Sequence, residues 1–179
     1  MSRIAIGVVE TGSIAVGYRV ADAMLKMAAV ELMEAQPVSP GKYIVAVGGD
    51  VASVAAAVEA GVAEAGTCLL GQTLIANLHP QVLSPNRPDI QALGIIETTT
   101  VAGVVRAADA AVKTAVVDLV ELQLARGLGG KGVVTFTGDV ASVQAGLAAG
   151  RAAAGGDLVA AVAIAAPHAE LKGKLRRES

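Results

Sequence analysis

The feature that most constrains this chain is a sequence that it contains twice. Residues 7–11 (GVVET) reappear as residues 94–98 (GIIET), and residues 49–54 (GDVASV) recur unchanged at residues 138–143. Roughly half of the aligned positions are identical, which is more than a shared composition would produce. The sequence is therefore a tandem duplication, and it predicts two domains, residues 1–88 and residues 89–179.

The composition indicates that the folded chain associates with other chains. Of the 179 residues, 54% are hydrophobic and only 17% are charged. A chain with so few charges is expected to bury much of its apolar surface against other subunits. Because aromatic residues make up 2%, small aliphatic side chains must form those contacts.

The same composition argues against nucleic acid and membrane as partners. The net charge of −2 provides no basic surface for nucleic acid. The longest apolar run, residues 158–167, is shorter than the about eighteen residues of a membrane span. The first residues lack the apolar core of a secretion signal, and the single Cys68 fits a reducing cytoplasm.

Apolar spacing predicts the same order of elements in both repeats. In the first repeat, strands are expected at residues 4–9, 30–36, 42–47 and 68–78. Helices are expected after Ser13 and Asp50, whose side chains are typical helix caps. The two prolines and the glycine of residues 37–41 are expected to end the second strand. The second helix is expected to bury four valines: Val51, Val54, Val58 and Val62.

This order, β-α-β-β-α-β, is the split βαβ or ferredoxin-like pattern, an α+β fold with helices on one face of a mostly antiparallel sheet. Pro80, Pro85 and Pro88 mark the linker between the repeats. The charged end, residues 171–179, predicts a short helix.

The motifs, in their order, resemble a known family. Each repeat carries Gly-x-x-Glu-Thr, then Ala-Asp-Ala-x-x-Lys (residues 21–26 and 108–113), a loop that ends in lysine, and Gly-Asp-Val. This series resembles the bacterial microcompartment (BMC) shell domain. Two such units resemble the tandem-domain (BMC-T) class, and in particular the tandem shell protein of propanediol-utilising compartments. Both repeats begin with the strand before the first helix, so the unpermuted topology is expected.

The resemblance implies a shell protein of the cytoplasm and not an enzyme. It implies a homotrimer whose six domains imitate a hexagonal tile, with a central pore for small metabolites. Further partners would be other shell proteins at the tile edges and the enclosed enzymes. The resemblance implies a pore bordered by the loop before the third strand of each repeat: Val38, Ser39, Pro40, Gly41, Leu128, Gly129 and Gly130.

The resemblance also implies residues at the tile edge. Lys26 and Lys113 match the family's edge lysine, whose aliphatic stem packs while its ammonium group reaches carbonyls across the seam. An ordinary solvated lysine is the alternative. His79 and His168 are expected to cap turns or lie at the edge. The family's arginine two positions before this histidine is replaced by Asn77 and by Ala166, which puts the usual edge contact in doubt.

No metal or cofactor is expected. Some tandem members carry a cysteine in the first pore loop, where three copies hold an iron–sulfur cluster. Ser39 stands at that position here, and a neutral hydroxyl is a poor ligand for cluster iron. The lone Cys68 is expected to be a small buried apolar residue. A shell protein with an iron–sulfur cluster in its pore remains an alternative function.

Two other classes of function compete with a shell protein. An enzyme would need a nucleophile with its base, a metal cluster or a phosphate loop, and the sequence has no such constellation. A small-ligand-sensing module is possible because ferredoxin-like folds serve many functions. Assembly into sheets would distinguish a shell protein from either.

Overall fold

The computed structural model describes residues 4–86 and 88–175. The first repeat folds in the predicted order: β1 (Ala5–Thr11), α1 (Ile14–Met27), β2 (Glu31–Val38), β3 (Lys42–Gly49), α2 (Val51–Ala65) and β4 (Leu69–Ile75). The strands form one four-stranded sheet in the order β2-β3-β1-β4. Each neighbouring pair is antiparallel.

The second repeat has the same arrangement. Its elements are β5 (Ala92–Thr98), α4 (Val101–Thr114), β6 (Asp118–Leu124), β7 (Gly132–Gly138), α5 (Val140–Ala154) and β8 (Leu158–Ile164). The strand order β6-β7-β5-β8 corresponds to that of the first sheet. The predicted α+β fold, a duplicated and unpermuted β-α-β-β-α-β unit, is confirmed.

A short helix follows the fourth strand of each repeat. The first, α3 (Pro80–Leu83), falls in the stretch that the prolines marked as a linker; the second, α6 (Ala169–Leu175), is the predicted terminal helix. Gln81 of α3 accepts a hydrogen bond from the Leu119 amide at 2.7 Å and donates one to Asp118 at 2.8 Å. This stretch is therefore attached to β6. Residues 176–179 of the predicted terminal helix lie outside the described residues.

By its contacts, the chain divides into two compact units. The first contains the residues up to Leu78 together with residues 100–102 and 125–130 of the second repeat. The second contains residues 79–99, 103–124 and those from Lys131 onward. The domain boundary between residues 88 and 89 describes the sequence duplication and stays a prediction.

The core of the first unit lies between its sheet and its two helices. Tyr43, Val45 and Val47 alternate along β3, and all three are at most 2% exposed. They pack in one cluster with Val20 and Met24 of α1. The predicted face of β3 therefore packs in the core, but Ile44 (2% exposed) and Ala46 (9% exposed) on the opposite face are buried as well.

The sequence placed the end of β2 too early. The strand continues through Pro37, which lies opposite Tyr43, to Val38. Because β2 is at the edge of the sheet, one side of its backbone has no neighbouring strand, and a proline there removes no required hydrogen bond. Only residues 39–41 form the turn.

Helix α2 buries the predicted face, but not along its whole predicted length. Val54 is fully buried and Val58 is 6% exposed, but Val51 is 45% exposed and Val62 is only partly buried. The buried stripe begins one turn later than predicted, because Val51 is the first helical residue and follows the exposed cap Asp50.

One described segment has the length and composition of a membrane span, although none was expected from the sequence. Val51–Cys68, which joins α2 to the following 3₁₀ turn, has a mean hydropathy of 1.3 over 18 residues. One face of α2 packs in the core through Val54, Ala57 and Val58. A core helix of a folded domain has the same composition, so this segment is weak support for a membrane location.

Candidate pore loops and assembly surfaces

The first predicted pore loop is a tight turn between β2 and β3. The Gly41 amide donates to the Val38 carbonyl at 3.0 Å, and Gly41 has a φ of 103°, which favours glycine. Ser39, Pro40 and Gly41 are exposed, whereas the Val38 side chain is buried. Ser39 therefore presents the loop's hydroxyl group to solvent.

The second predicted pore loop joins β6 to β7. Three of its glycines have positive φ, with Gly129 at 61° and Gly130 at 81°. Leu128 is half-buried, Gly129 is exposed and Gly130 is buried. Arg126 of this loop bonds to the Gln36 side chain and lies 3.9 Å from a Glu34 carboxylate oxygen. Part of its charge is thus balanced locally.

The first compact unit brings these two loops together. Lys42, which follows the first loop, donates to the Gly130 carbonyl at 2.9 Å. A side chain at Gly130 would come within 3.0 Å of the Ser39 carbonyl oxygen. The two loops predicted to border one pore are therefore neighbours within this unit, and the pore itself stays a prediction.

Beside the loops lies a buried ion pair that the sequence analysis missed. Glu10 at the end of β1 is fully buried, and its Oε1 accepts a hydrogen bond from Lys42 Nζ at 2.8 Å. Its Oε2 accepts from the amide of Val101, the first residue of α4, at 2.7 Å. The carboxylate therefore also stabilises the positive end of a helix. Losing one partner of a buried pair typically costs about 3–5 kcal/mol.

Glu10 caps a helix that begins 91 residues later in the chain. In the sequence, only the recurrence of Glu-Thr and of a lysine before the third strand could have indicated this ion pair.

The second repeat contains the same pair in a more exposed setting. Lys131 donates to Glu97 at 2.6 Å, and the side chains are 47% and 30% exposed. The corresponding values for Lys42 and Glu10 are 17% and 0%. The two pairs occupy equivalent places, since Glu10 lies opposite Ile44 and Glu97 opposite Val133 in their sheets.

The two predicted edge lysines lie near the ends of equivalent helices in different surroundings. Lys26 of α1 pairs with Asp22 at 2.6 Å, and the two side chains are 74% and 61% exposed. Lys113 of α4 pairs with Asp109 at the same distance, but that carboxylate is only 10% exposed. A shallow hollow of about 460 Å³ adjoins Lys26, and it is otherwise lined by Ala23, Met27, Ala60, Ala63 and Glu64.

Both histidines cap short helices. His79 Nδ1 accepts from the Gln81 amide, and His168 Nδ1 accepts from the Glu170 amide, each at 3.4 Å. The His79 amide donates to Asp109 at 2.8 Å. Asn77, the third edge candidate of this stretch, is exposed. The capping role expected for the histidines is therefore observed.

The chemistry of the first loop does not fit an iron–sulfur cluster. Its candidate ligand is the hydroxyl of Ser39, which cannot replace a thiolate. Cys68 is half-buried in the 3₁₀ turn before β4 and does not belong to either loop, so the expectation of a buried strand residue was wrong. Across residues 4–86 and 88–175, no group of three or more His, Cys, Asp or Glu side chains could hold a metal ion.

Comparisons with known proteins agree on one family. The model of the BMC domain matches residues 5–78 and again residues 92–167. The bacterial microcompartment shell protein PduT of Citrobacter freundii is 40% identical over 171 residues, which cover 92% of this chain and 93% of that protein.

Two solved structures are similar to this fold. A microcompartment protein from Desulfitobacterium hafniense superposes with a TM-score of 0.83 at 50% identity, covering 96% of this chain and 99% of the other. A fused, permuted hexameric shell protein of the RMM microcompartment has a TM-score of 0.64 at 23% identity over 84% and 83% of the chains, a likeness that concerns the fold alone. The chain therefore belongs to the BMC-domain family of bacterial microcompartment shell proteins, with two domains in tandem.

Proposed function

We propose that three copies of this shell protein form a pseudohexameric tile with a central pore for small polar metabolites. The protein is a component of the shell of a bacterial microcompartment in the cytoplasm. Each chain has two BMC domains, so three chains supply the six domains of a closed ring. The observation that carries the proposal is the occurrence of two BMC domains in one chain, at residues 5–78 and 92–167.

The loops support the position of the pore. Ser39, Pro40, Gly41 and Gly129 are exposed and, apart from Pro40, carry small side chains or none. Backbones that converge on an axis require such residues because larger side chains would collide. A border made of a hydroxyl and peptide groups suits a small polar solute or water.

The surface supports association at the tile edges. Along α1, Tyr18 is 60% exposed, Leu25 41% and Met27 58%. These side chains provide apolar surface on the helix that carries Lys26, beside the hollow described above. We infer that Lys26, Lys113, Asn77, His79 and His168 lie near contacts between tiles or with other shell proteins.

A structural role is favoured over an enzymatic one. The similar proteins are named as shell or microcompartment proteins, and the exposed small residues of the loops support a passage at the centre of the proposed ring. The iron–sulfur alternative has no support from the residues of the first loop.

Negative-stain electron microscopy of the concentrated protein tests the proposal. The expected result is flat particles with threefold symmetry, a central opening and a tendency to form sheets. A particle with the 17.7 kDa mass of one chain, or a twofold pair whose loops lie far from each other, would contradict it.

A further inference from the structure

The two glutamate–lysine pairs differ in what surrounds them, although the sequence repeats them. Glu10 and Lys42 are completed by two further groups, the Val101 amide and the Gly130 carbonyl, all within the first compact unit. Within residues 4–86 and 88–175, no backbone amide donates a hydrogen bond to Glu97. The Glu97–Lys131 pair therefore has the same charges without the two groups that complete the first pair.

The missing groups have equivalents elsewhere in the chain. By the repeat, Val101 at the start of α4 corresponds to Ile14 at the start of α1, and Gly130 corresponds to Gly41, each just before the loop lysine. Val101 is 1% exposed and Ile14 is 39% exposed. Gly130 is buried and Gly41 is exposed.

Each residue of the completed site thus has a more exposed equivalent. The asymmetry affects both charged residues and both residues that supply the backbone groups, so it concerns the whole site and not a single side chain. The first amide of a helix has no acceptor within its own helix, which leaves the Ile14 amide suited to an external carboxylate. A partly exposed ion pair and two exposed residues that carry the complementary backbone groups lie on the same chain.

We propose that, in the assembled protein, the Glu97–Lys131 pair of one chain is completed by the Ile14 amide and the Gly41 carbonyl of a neighbouring chain. The contact is head-to-tail, because each chain supplies one incomplete pair and one set of completing groups. Such a contact closes into a ring when the rotation between chains allows it. The inference rests on the proposed ring of three copies and names the residues that hold it together.

Ile14→Pro isolates the proposed hydrogen bond. Proline is well tolerated at the first position of a helix and removes only the amide hydrogen there. Ser13, the residue before it, has φ −137° and ψ 124°, the extended conformation that a following proline requires. Ile14→Ala is the matched control because it shortens the same side chain and keeps the amide.

Sedimentation velocity over a dilution series measures the effect. Ile14→Pro is expected to raise the concentration at which the assembly dissociates by roughly tenfold or more, since a charged acceptor loses its donor. Ile14→Ala should change it much less, and circular dichroism should show equal helix content in both variants. If both variants dissociate at the same concentration, the proposed contact is wrong, whereas the proposed ring of three copies is not contradicted.

A charge-reversed pair provides a second test. Glu97→Lys combined with Lys131→Glu keeps an ion pair within the chain but presents an ammonium group to the amide and a carboxylate to the carbonyl. The variant is expected to lose association while keeping its fold. In hydrogen exchange of the wild-type assembly, the peptide containing Ile14 should be protected, and this protection should be lost in the reversed variant.

The outcomes separate the two proposals. If wild-type chains are single at every concentration, the ring of the proposed function fails, and this contact fails with it. If the wild type forms rings and the reversed variant forms them equally well, with the Ile14 peptide unprotected, only the contact is wrong.

Discussion

At the scale of single residues, the loop glycines differ in how strictly they are required. Gly129 and Gly130 both have positive φ, at 61° and 81°. A side chain at Gly129 would meet nothing within 4 Å, whereas one at Gly130 would lie 2.9 Å from Lys42 Cε and 3.0 Å from the Ser39 carbonyl oxygen. Gly130 is therefore required for packing as well as for its backbone conformation.

Gly130→Ala is expected to destabilise the protein more than Gly129→Ala. Both variants incur the left-handed cost of about 1–2 kcal/mol, but Gly130→Ala adds the cost of overpacking, about 1–3 kcal/mol. Urea unfolding at one fixed protein concentration measures the difference. Equal losses of unfolding free energy would show that the Ser39 loop moves aside at little cost.

At the scale of elements, the repeats share a helix start that depends on pH. Asp50 and Asp139 cap α2 and α5, each accepting from the amide of the serine three residues later. Hydrogen bonds from the Ser53 side chain and backbone lower the pKa of Asp50. Those from the Ser142 backbone and side chain lower the pKa of Asp139. The ionised caps are therefore favoured in the folded protein.

The sign of the pH effect follows from the lowered pKa values. This stabilisation is present above the unfolded pKa, about 3.9 for aspartate, and is lost as the pH falls through the lower folded values. Asparagine caps a helix about as well as aspartate and does not titrate. In the double variant Asp50→Asn, Asp139→Asn, urea midpoints should decrease less than in the wild type between about pH 5 and pH 3. If the urea midpoints of the double variant and the wild type decrease by the same amount, protonation of the two caps is not the cause of the decrease.

At the scale of the whole molecule, ring formation and sheet formation involve different surfaces in this proposal. The loops and the Glu97–Lys131 pair belong to contacts within a ring. Lys26, which is 74% exposed beside an apolar hollow, is assigned to contacts between tiles. A variant can therefore lose one kind of assembly and keep the other.

Lys26→Ala is expected to abolish extended sheets while leaving a ring of about three times the 17.7 kDa chain mass. The ammonium group and the aliphatic stem that cross the seam are both removed. Lys174→Ala, at an exposed position on α6, is the matched control and should form sheets as the wild type does. Electron microscopy and sedimentation of the same samples separate the two levels. If the Lys26→Ala variant still forms sheets, Lys26 is an ordinary solvent-exposed lysine and does not hold tiles together.

The sequence alone determined the duplication, the order of the elements and the chemistry of the turns. These features are local: alternation in β3, the caps Ser13 and Asp50, and the glycines of the loops are each specified by a few neighbouring residues. Predictions from local sequence were wrong at positions whose surroundings are set by distant parts of the chain. Pro37 remained in a strand because β2 is at an edge, and the buried stripe of α2 omitted Val51.

Only the tertiary structure decided which groups complete the buried carboxylate. Glu10 and Glu97 have the same local sequence, Gly-x-x-Glu-Thr, yet one is fully buried and the other is 30% exposed. The difference depends on whether a helix start and a loop carbonyl from distant positions reach the site. A buried charge must be paired and hydrogen-bonded, but no local pattern specifies which distant residues supply the partners, because the folded backbone alone brings them together.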